Sequence, residues 1–344
     1  MRRLPIYFLI DVSESMVGEP IEYVQNGMRD IITELRVDPY ALETACVSVI
    51  EFAGRPQTVS PLTELYKFYP PKLNIGGGTN LGSALDYLMC EIDKNIQKTT
   101  AEAKGDWKPI VFLFTDGAPT DDPNSAISQW NSKYRKGCNL IAITLGENVD
   151  TLSLTKLTDS ALQLKDTTPQ SFKEFFKWVT ASIKTTSVSV TDGYGDDIKL
   201  APIDGINLEK IEHTSHKKVD DNYIIIQGKC QSTKERYLIK YGKKQPAVSE
   251  LEAKYGLIGA YRIDESMYSV LSVNSDKKES VNLSSTVGIP ACPCCGNQNG
   301  LVICECGGVF CVGEQRISTC PWCGMEGELT AVASNELNID RTIG

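Results

Sequence analysis

A chain of 344 residues is long enough for two or three domains and a sizeable buried core. Its 35 Lys and Arg against 44 Asp and Glu give a formal net charge of −9, which argues against phosphate-backbone binding and hence against a nucleic-acid partner. No apolar run reaches the ~18 residues of a transmembrane helix, and Arg2 and Arg3 precede an apolar run too short and too abruptly ended for a signal peptide, so a cytoplasmic protein without a membrane partner is expected.

The first element is an apolar stretch, Leu4 to Ile10, rich in β-branched and aromatic residues. It reads as a strand buried on both faces. It ends in Asp11-Val12-Ser13-Glu14-Ser15, an acid and two hydroxyls at the spacing Asp-x-Ser-x-Ser. In an open α/β sheet this tail falls beyond the carboxyl end of a strand, where ligands bind. Pro20 then suits the first turn of a helix, with Ile21, Val24, Met28, Ile31, Ile32 and Leu35 at helical spacing. Cys46 to Phe52 reads as the next strand.

Gly76-Gly77-Gly78-Thr79-Asn80 is a flexible loop offering a third hydroxyl just before a helix marked by Leu81, Leu85, Leu88 and Ile92. Ile110 to Asp116 is a second buried strand ending in an acid. A polar helix around 124–135, a strand over 139–145 and a helix starting at Ser171, with Glu174 in capping-box position, complete this part. The alternation predicts an α/β fold with a doubly wound parallel sheet over residues 1–187.

Three hydroxyls and two carboxylates are hard oxygen donors suited to magnesium, manganese or calcium. Asp-x-Ser-x-Ser, then Gly-Gly-Thr, then Thr-Asp-Gly resembles the metal-ion-dependent adhesion site of von Willebrand factor A domains. The resemblance implies Ser13, Ser15 and Thr79 as direct Mg2+ ligands, with Asp11 and Asp116 supporting them partly through water. Neutral hydroxyls leave a divalent ion under-neutralised, so such a site attracts an Asp or Glu of a partner protein. It is expected on exposed loops at one edge of the sheet.

Polar, glycine-containing residues 187–197 read as a linker. Residues 188–288 read as a β-rich domain with strands at Tyr223–Gln227, Tyr237–Tyr241 and Tyr268–Val273. His213 and His216 lie here in a polar stretch and read as solvated. Residues 289–344 read as a zinc-ribbon segment and tail: eight of the twelve cysteines fall within 292–323, a metal-like cluster in place of a spread disulfide framework. Two Cys-Pro-x-Cys-Gly knuckles place Cys292, Cys295, Cys320 and Cys323 as a closed structural Zn2+ site. Cys304, Cys306 and Cys311 either complete a second site or replace a knuckle in the first. Cys46, Cys90, Cys138 and Cys230 read as inert.

With Gly228-Lys229-Cys230-Gln231 and Tyr237-Leu238-Ile239-Lys240-Tyr241 ahead of the Cys-Pro-Trp-Cys ribbon, the whole resembles the bacterial TerY-type proteins of tellurium-resistance and stress-response systems. That resemblance implies a scaffold acting beside a Ser/Thr protein kinase and a protein phosphatase. The residues themselves favour a non-enzymatic interaction module. The alternative is a magnesium-dependent phosphatase or other hydrolase, but the position two residues after Asp11, where a general acid/base would stand, is Ser13.

Overall fold

The computed structural model describes residues 2–102, 104–146, 149–165, 168–191, 200–203, 207–211, 222–244, 254–273, 279–330 and 338–342. His213 and His216 lie outside the described residues.

The N-terminal half holds β1 (Leu4–Asp11), α1 (Glu19–Arg36), α2 (Pro39–Thr44), β2 (Ala45–Phe52), β3 (Pro56–Glu64) and α3 (Leu81–Asn95). It continues with β4 (Ile110–Thr115), α4 (Asn124–Lys133), β5 (Asn139–Leu145), α5 (Thr151–Leu157), β6 (Ser160–Leu164), α6 (Pro169–Thr191) and β7 (Leu208–Lys210). The described strands run in the order β3-β2-β1-β4-β5-β6-β7. From β2 to β6 every pairing is parallel, whereas β3 and β7 join the edges antiparallel, so the expected parallel sheet is mixed at its margins.

Every residue of β1 and β2 is buried, as continuous apolar runs require when helices cover both faces. One layer packs Phe8, Phe112 and Phe114 of the sheet under Phe172, Phe175 and Phe176 of α6. The other packs Tyr7, Leu9, Val111 and Leu113 under α3 and α4. Chain order reverses between β1 and β4, which makes the carboxyl ends of these two strands the switch point of the sheet. The α6 helix starts two residues ahead of Ser171, and its end is capped by Thr168, whose hydroxyl accepts from Ser171 N at 3.3 Å. The same helix continues to Thr191, into what read as linker.

The C-terminal half comprises β8 (Tyr223–Lys229), β9 (Arg236–Lys243), β10 (Tyr255–Arg262), α7 (Glu265–Leu271), β11 (Glu279–Asn282) and β12 (Thr286–Val287). After these come β13 (Leu301–Ile303), β14 (Val309–Cys311), β15 (Ile317–Thr319), β16 (Glu326–Glu328) and β17 (Asn338–Arg341). The stretch Tyr268–Val273, expected as a strand, lies largely in α7: Asp264 accepts from Ser266 N and Met267 N and starts a helix that β-propensity alone does not foresee.

The strands cross both expected domain lines. Strand β7 completes the first sheet beyond residue 187, and β14 pairs in parallel with β8, uniting residues on either side of 288 in one sheet ordered β12-β10-β9-β8-β14-β13. Among the described residues no helix is long and apolar enough to cross a membrane.

Candidate metal centres

The register of the first sheet builds the first centre. Ile10 is paired with Phe114, so Asp11 and Thr115 come level at the strand ends. Thr115 Oγ1 donates to Asp11 Oδ2 at 2.6 Å, and Ser13 N donates to Asp11 Oδ1 at 2.9 Å. Both oxygens of Asp11 are therefore spent on shaping the loop that follows it. Within that loop Ser13 Oγ and Ser15 Oγ stand 3.0 Å apart, and Ser15 Oγ donates to Asp116 Oδ1 at 2.6 Å. Thr79, at the mouth of α3, presents a buried Oγ1 with no hydrogen-bond partner among the described residues. A Cβ placed on Gly117 would lie 3.7 Å from Thr79 Oγ1 and 3.9 Å from Ser15 Oγ, so the bare glycine leaves open the space on which both hydroxyls border. All five expected residues thus converge at the switch point.

This geometry fits a small divalent cation. Oxygen ligands at about 2.1 Å in octahedral array are about 3.0 Å apart along an edge. That is the separation of the two serine hydroxyls. A buried hydroxyl without a partner is rare and costs about 1–3 kcal/mol, which a cation at this point would offset. Burial pushes the Asp11 carboxyl up to about 7, with the charge of Asp116 adding to it. Burial also raises Asp116, opposed by the Lys240 charge and the Ser15 hydrogen bond. Two acids enclosed together create a demand for positive charge.

The site is not the exposed rim expected from the sequence. Asp11 and Ser13 are 0 % exposed, Ser15 and Thr79 1 %, and Asp116 4 %. The flanking loops carry contacts that nothing in the sequence announced, from Lys240, Tyr268 and Ser272 of the C-terminal half.

The cysteines form two groups of four, each with all sulfurs within 4.8 Å of one another: Cys230, Cys292, Cys295 and Cys311, and Cys304, Cys306, Cys320 and Cys323. This corrects the expected pairing of the two knuckles in one site. Cys292 and Cys295 join Cys230 and Cys311 because the β8–β14 pairing puts the ends of those strands side by side. Cys320 and Cys323 face Cys304 and Cys306, and the ligands of the two groups interleave along the chain.

Sulfur separations are 3.8 Å for Cys295–Cys311, 3.9 Å for Cys311–Cys230, 3.7 Å for Cys304–Cys323 and 3.9 Å for Cys306–Cys320. A disulfide would need about 2.05 Å. A tetrahedron with Zn–S near 2.3 Å has edges of about 3.8 Å. The residues fit zinc, twice.

Each group is cradled by knuckle turns. Gly296 N donates to Cys292 O, Gly307 N to Cys304 O and Gly324 N to Cys320 O, and all three glycines have positive φ (75°, 82° and 78°). Lys234 repeats the turn after Cys230, donating to Cys230 O at 3.0 Å with φ 62°. Cys230, which read as inert, therefore heads a fourth knuckle carrying one cysteine. The spacing Cys230-x-x-x-Lys234 is the faint signal that could have found it. Burial raises the Cys230 thiol, but hydrogen bonds from Thr233 and Ser232 overcome this and hold it down at about 6. The four-sulfur shell leaves no open position, which suits a structural role.

The family model for the von Willebrand factor type A domain matches residues 6–178, and that for the TerY-C metal binding domain matches residues 220–344. Inter-alpha-trypsin inhibitor heavy chain H6 of Homo sapiens is 25 % identical over 180 residues, covering 46 % of this chain and 14 % of that protein. Matrilin-2 of Mus musculus is 25 % identical over 160 residues, covering 43 % and 15 %. The chain thus spans about a seventh of the length of these curated relatives. Among solved structures, proximal thread matrix protein 1 from the mussel byssus, with a zinc-occupied adhesion-site motif, is 20 % identical with a TM-score of 0.38, covering 53 % of this chain and 48 % of that one. A von Willebrand factor type A protein from Catenulispora acidiphila is 12 % identical with a TM-score of 0.40, covering 76 % and 66 %. The chain belongs to the von Willebrand factor type A domain family, with a TerY-C metal binding domain as its C-terminal part.

Proposed function

We propose that the chain is a non-enzymatic docking module in which Ser13, Ser15 and Thr79 hold a divalent ion, magnesium in the first place, that captures a carboxylate of a protein partner. The observation that carries this reading is the buried, unpartnered Thr79 Oγ1 beside a serine pair at ligand-edge spacing. An ion bound to neutral hydroxyls keeps a net positive charge and an open position for an outside acid. Asp11 keeps the loop in shape through its two hydrogen bonds, and Asp116 orients Ser15.

The two cysteine groups hold structural zinc that fixes the C-terminal sheet, a second surface for assembly. The resemblance to stress-response scaffolds supports a Ser/Thr kinase and a protein phosphatase as the partner classes, in the cytoplasm.

The test is calorimetric titration of magnesium into the zinc-loaded chain, followed by capture of partners from native lysate with and without magnesium. Saturable binding lost in Ser13→Ala, and partner capture lost with it, supports the proposal. Magnesium-dependent hydrolysis of a phosphoester that Asp11→Ala abolishes would overturn it in favour of the enzyme.

A further inference from the structure

The two halves of the molecule meet at the loops of the first centre. Lys240 stands in the middle of β9 and is 2 % exposed. Its ammonium donates to the main-chain oxygen of Ser15 and, at 3.2 Å, to that of Val17, with the Tyr223 ring 4.1 Å away. Tyr268 of α7 donates to Glu14 Oε1 at 2.6 Å, and the other oxygen of Glu14 accepts from Gly78 N at 3.0 Å. Ser272 Oγ accepts from Gly77 N at 2.8 Å. The C-terminal half therefore grips both the loop of Ser13 and Ser15 and the loop that ends in Thr79.

Of these contacts only Lys240 brings a charge of the same sign as the ion. Burying an ammonium is costly unless carbonyls and an opposite charge compensate it. The carbonyls are those of Ser15 and Val17, and the charge it acts on is Asp116. Ser15 links the two groups directly, accepting from Lys240 through its main-chain oxygen and donating to Asp116 at 2.6 Å through its hydroxyl. Like charges repel strongly where water is excluded, so a divalent ion beside the Ser15 hydroxyl works against the ammonium already held by the Ser15 main-chain oxygen.

We propose that Lys240 sets the ion affinity of the Ser13–Ser15–Thr79 site, acting as a resident cation against which the divalent ion binds, so that ion loading and docking of the C-terminal half oppose one another. This rests on the metal reading of the site given above. The antagonism is reciprocal by linkage: whatever Lys240 subtracts from ion affinity, the ion subtracts from the hold of Lys240 on the loop. A site with five residues at most 4 % exposed is thereby opened from within, when loading loosens β9 and α7.

The experiment is magnesium titration of the full zinc-loaded chain, dialysed free of magnesium, with Lys240→Met, Lys240→Gln and Lys240→Arg beside the wild type. Lys240→Gln keeps a donor for the carbonyls and guards against misfolding of the Met variant. The uncharged variants should bind magnesium about tenfold tighter, equivalent to about 1.4 kcal/mol. The Arg variant keeps the charge and should bind magnesium more weakly than either uncharged variant. Hydrogen exchange should rise on magnesium addition in Arg236–Lys243 and Glu265–Leu271 of the wild type and stay unchanged in Lys240→Gln. If the wild type binds magnesium and the uncharged variants bind it equally or more weakly, the role of Lys240 is overturned while the metal reading stands. If the wild type itself binds none, the metal reading falls and this proposal falls with it.

Discussion

Replacing Cys230 by alanine separates two accounts of that residue. As an ordinary buried thiol, fully enclosed among Ile224, Ile226, Tyr237 and Val309, it loses one sulfur atom, a change comparable to Ile→Val at about 1 kcal/mol. As a zinc ligand, 3.9 Å from Cys311 Sγ, it leaves three sulfurs to hold the ion. Structural zinc in small domains supplies about 10–16 kcal/mol of apparent free energy, and metal binding there is folding free energy. Even a ~100-fold loss of zinc affinity costs about 2.7 kcal/mol, so with the lost packing the variant should be less stable by about 3–5 kcal/mol.

After dialysis against a chelator strong enough to empty a site weakened ~100-fold, elemental analysis should give two zinc ions per wild-type chain and one per Cys230→Ala chain, with urea unfolding reporting the stability change. Cys46→Ala is the control, a 3 % exposed cysteine in β2 outside either group, and should keep both ions. Two ions retained by Cys230→Ala, or one ion in the wild type, would refute the paired-site geometry.

Thr79→Ala should raise the stability of the magnesium-free chain by about 1 kcal/mol, because it removes an unpartnered buried hydroxyl, while weakening magnesium binding at least ~10-fold; differential calorimetry and titration read the two signs separately. A chromogenic chelator should strip zinc in two phases. The group with Cys306 and Cys323 exposed goes first and the group with Cys230, Cys292 and Cys311 buried goes second, so Cys306→Ser should abolish the fast phase. Gly27→Ala should cost about 3 kcal/mol or more in thermal unfolding, since the new methyl would fall 1.9 Å from Phe176 Cδ2 where α1 crosses α6.

The first half was legible because its signals are local. An apolar run ending in Asp11 declares a buried strand and its functional end together, and the same holds for Ile110 to Asp116. Strand β3 escaped notice because its residues are only partly buried and alternate little, as befits an edge. The stretch Tyr268–Val273 misled because its alternating aromatic and β-branched residues outweighed the cap at Asp264. The two cysteine groups were legible in composition and illegible in pairing. Knuckle spacing marks Cys292–Cys295 and Cys320–Cys323 as pairs, but which strand end completes each is decided by the pairing of β14 with β8. Lys240 gave no sign at all, since a lysine in an alternating strand reads as solvent-facing until the other half of the molecule is set against it.

The interleaving of the two cysteine groups bears on the order in which the C-terminal half can assemble. The second group joins residues 14 and 19 positions apart, whereas the first must bring together Cys230 and Cys311 across 81. Closing the longer loop costs about 1.5 kcal/mol more chain entropy than closing the shortest. It also waits on a non-local strand pairing, which is slow to form. During synthesis the Cys304–Cys323 group can therefore take its metal as soon as its own segment is free, while the other closes only after β8, β9 and β14 have met. On the proposed zinc reading, the later site closes only on the finished sheet, once the strands that carry Cys230 and Lys240 have been paired.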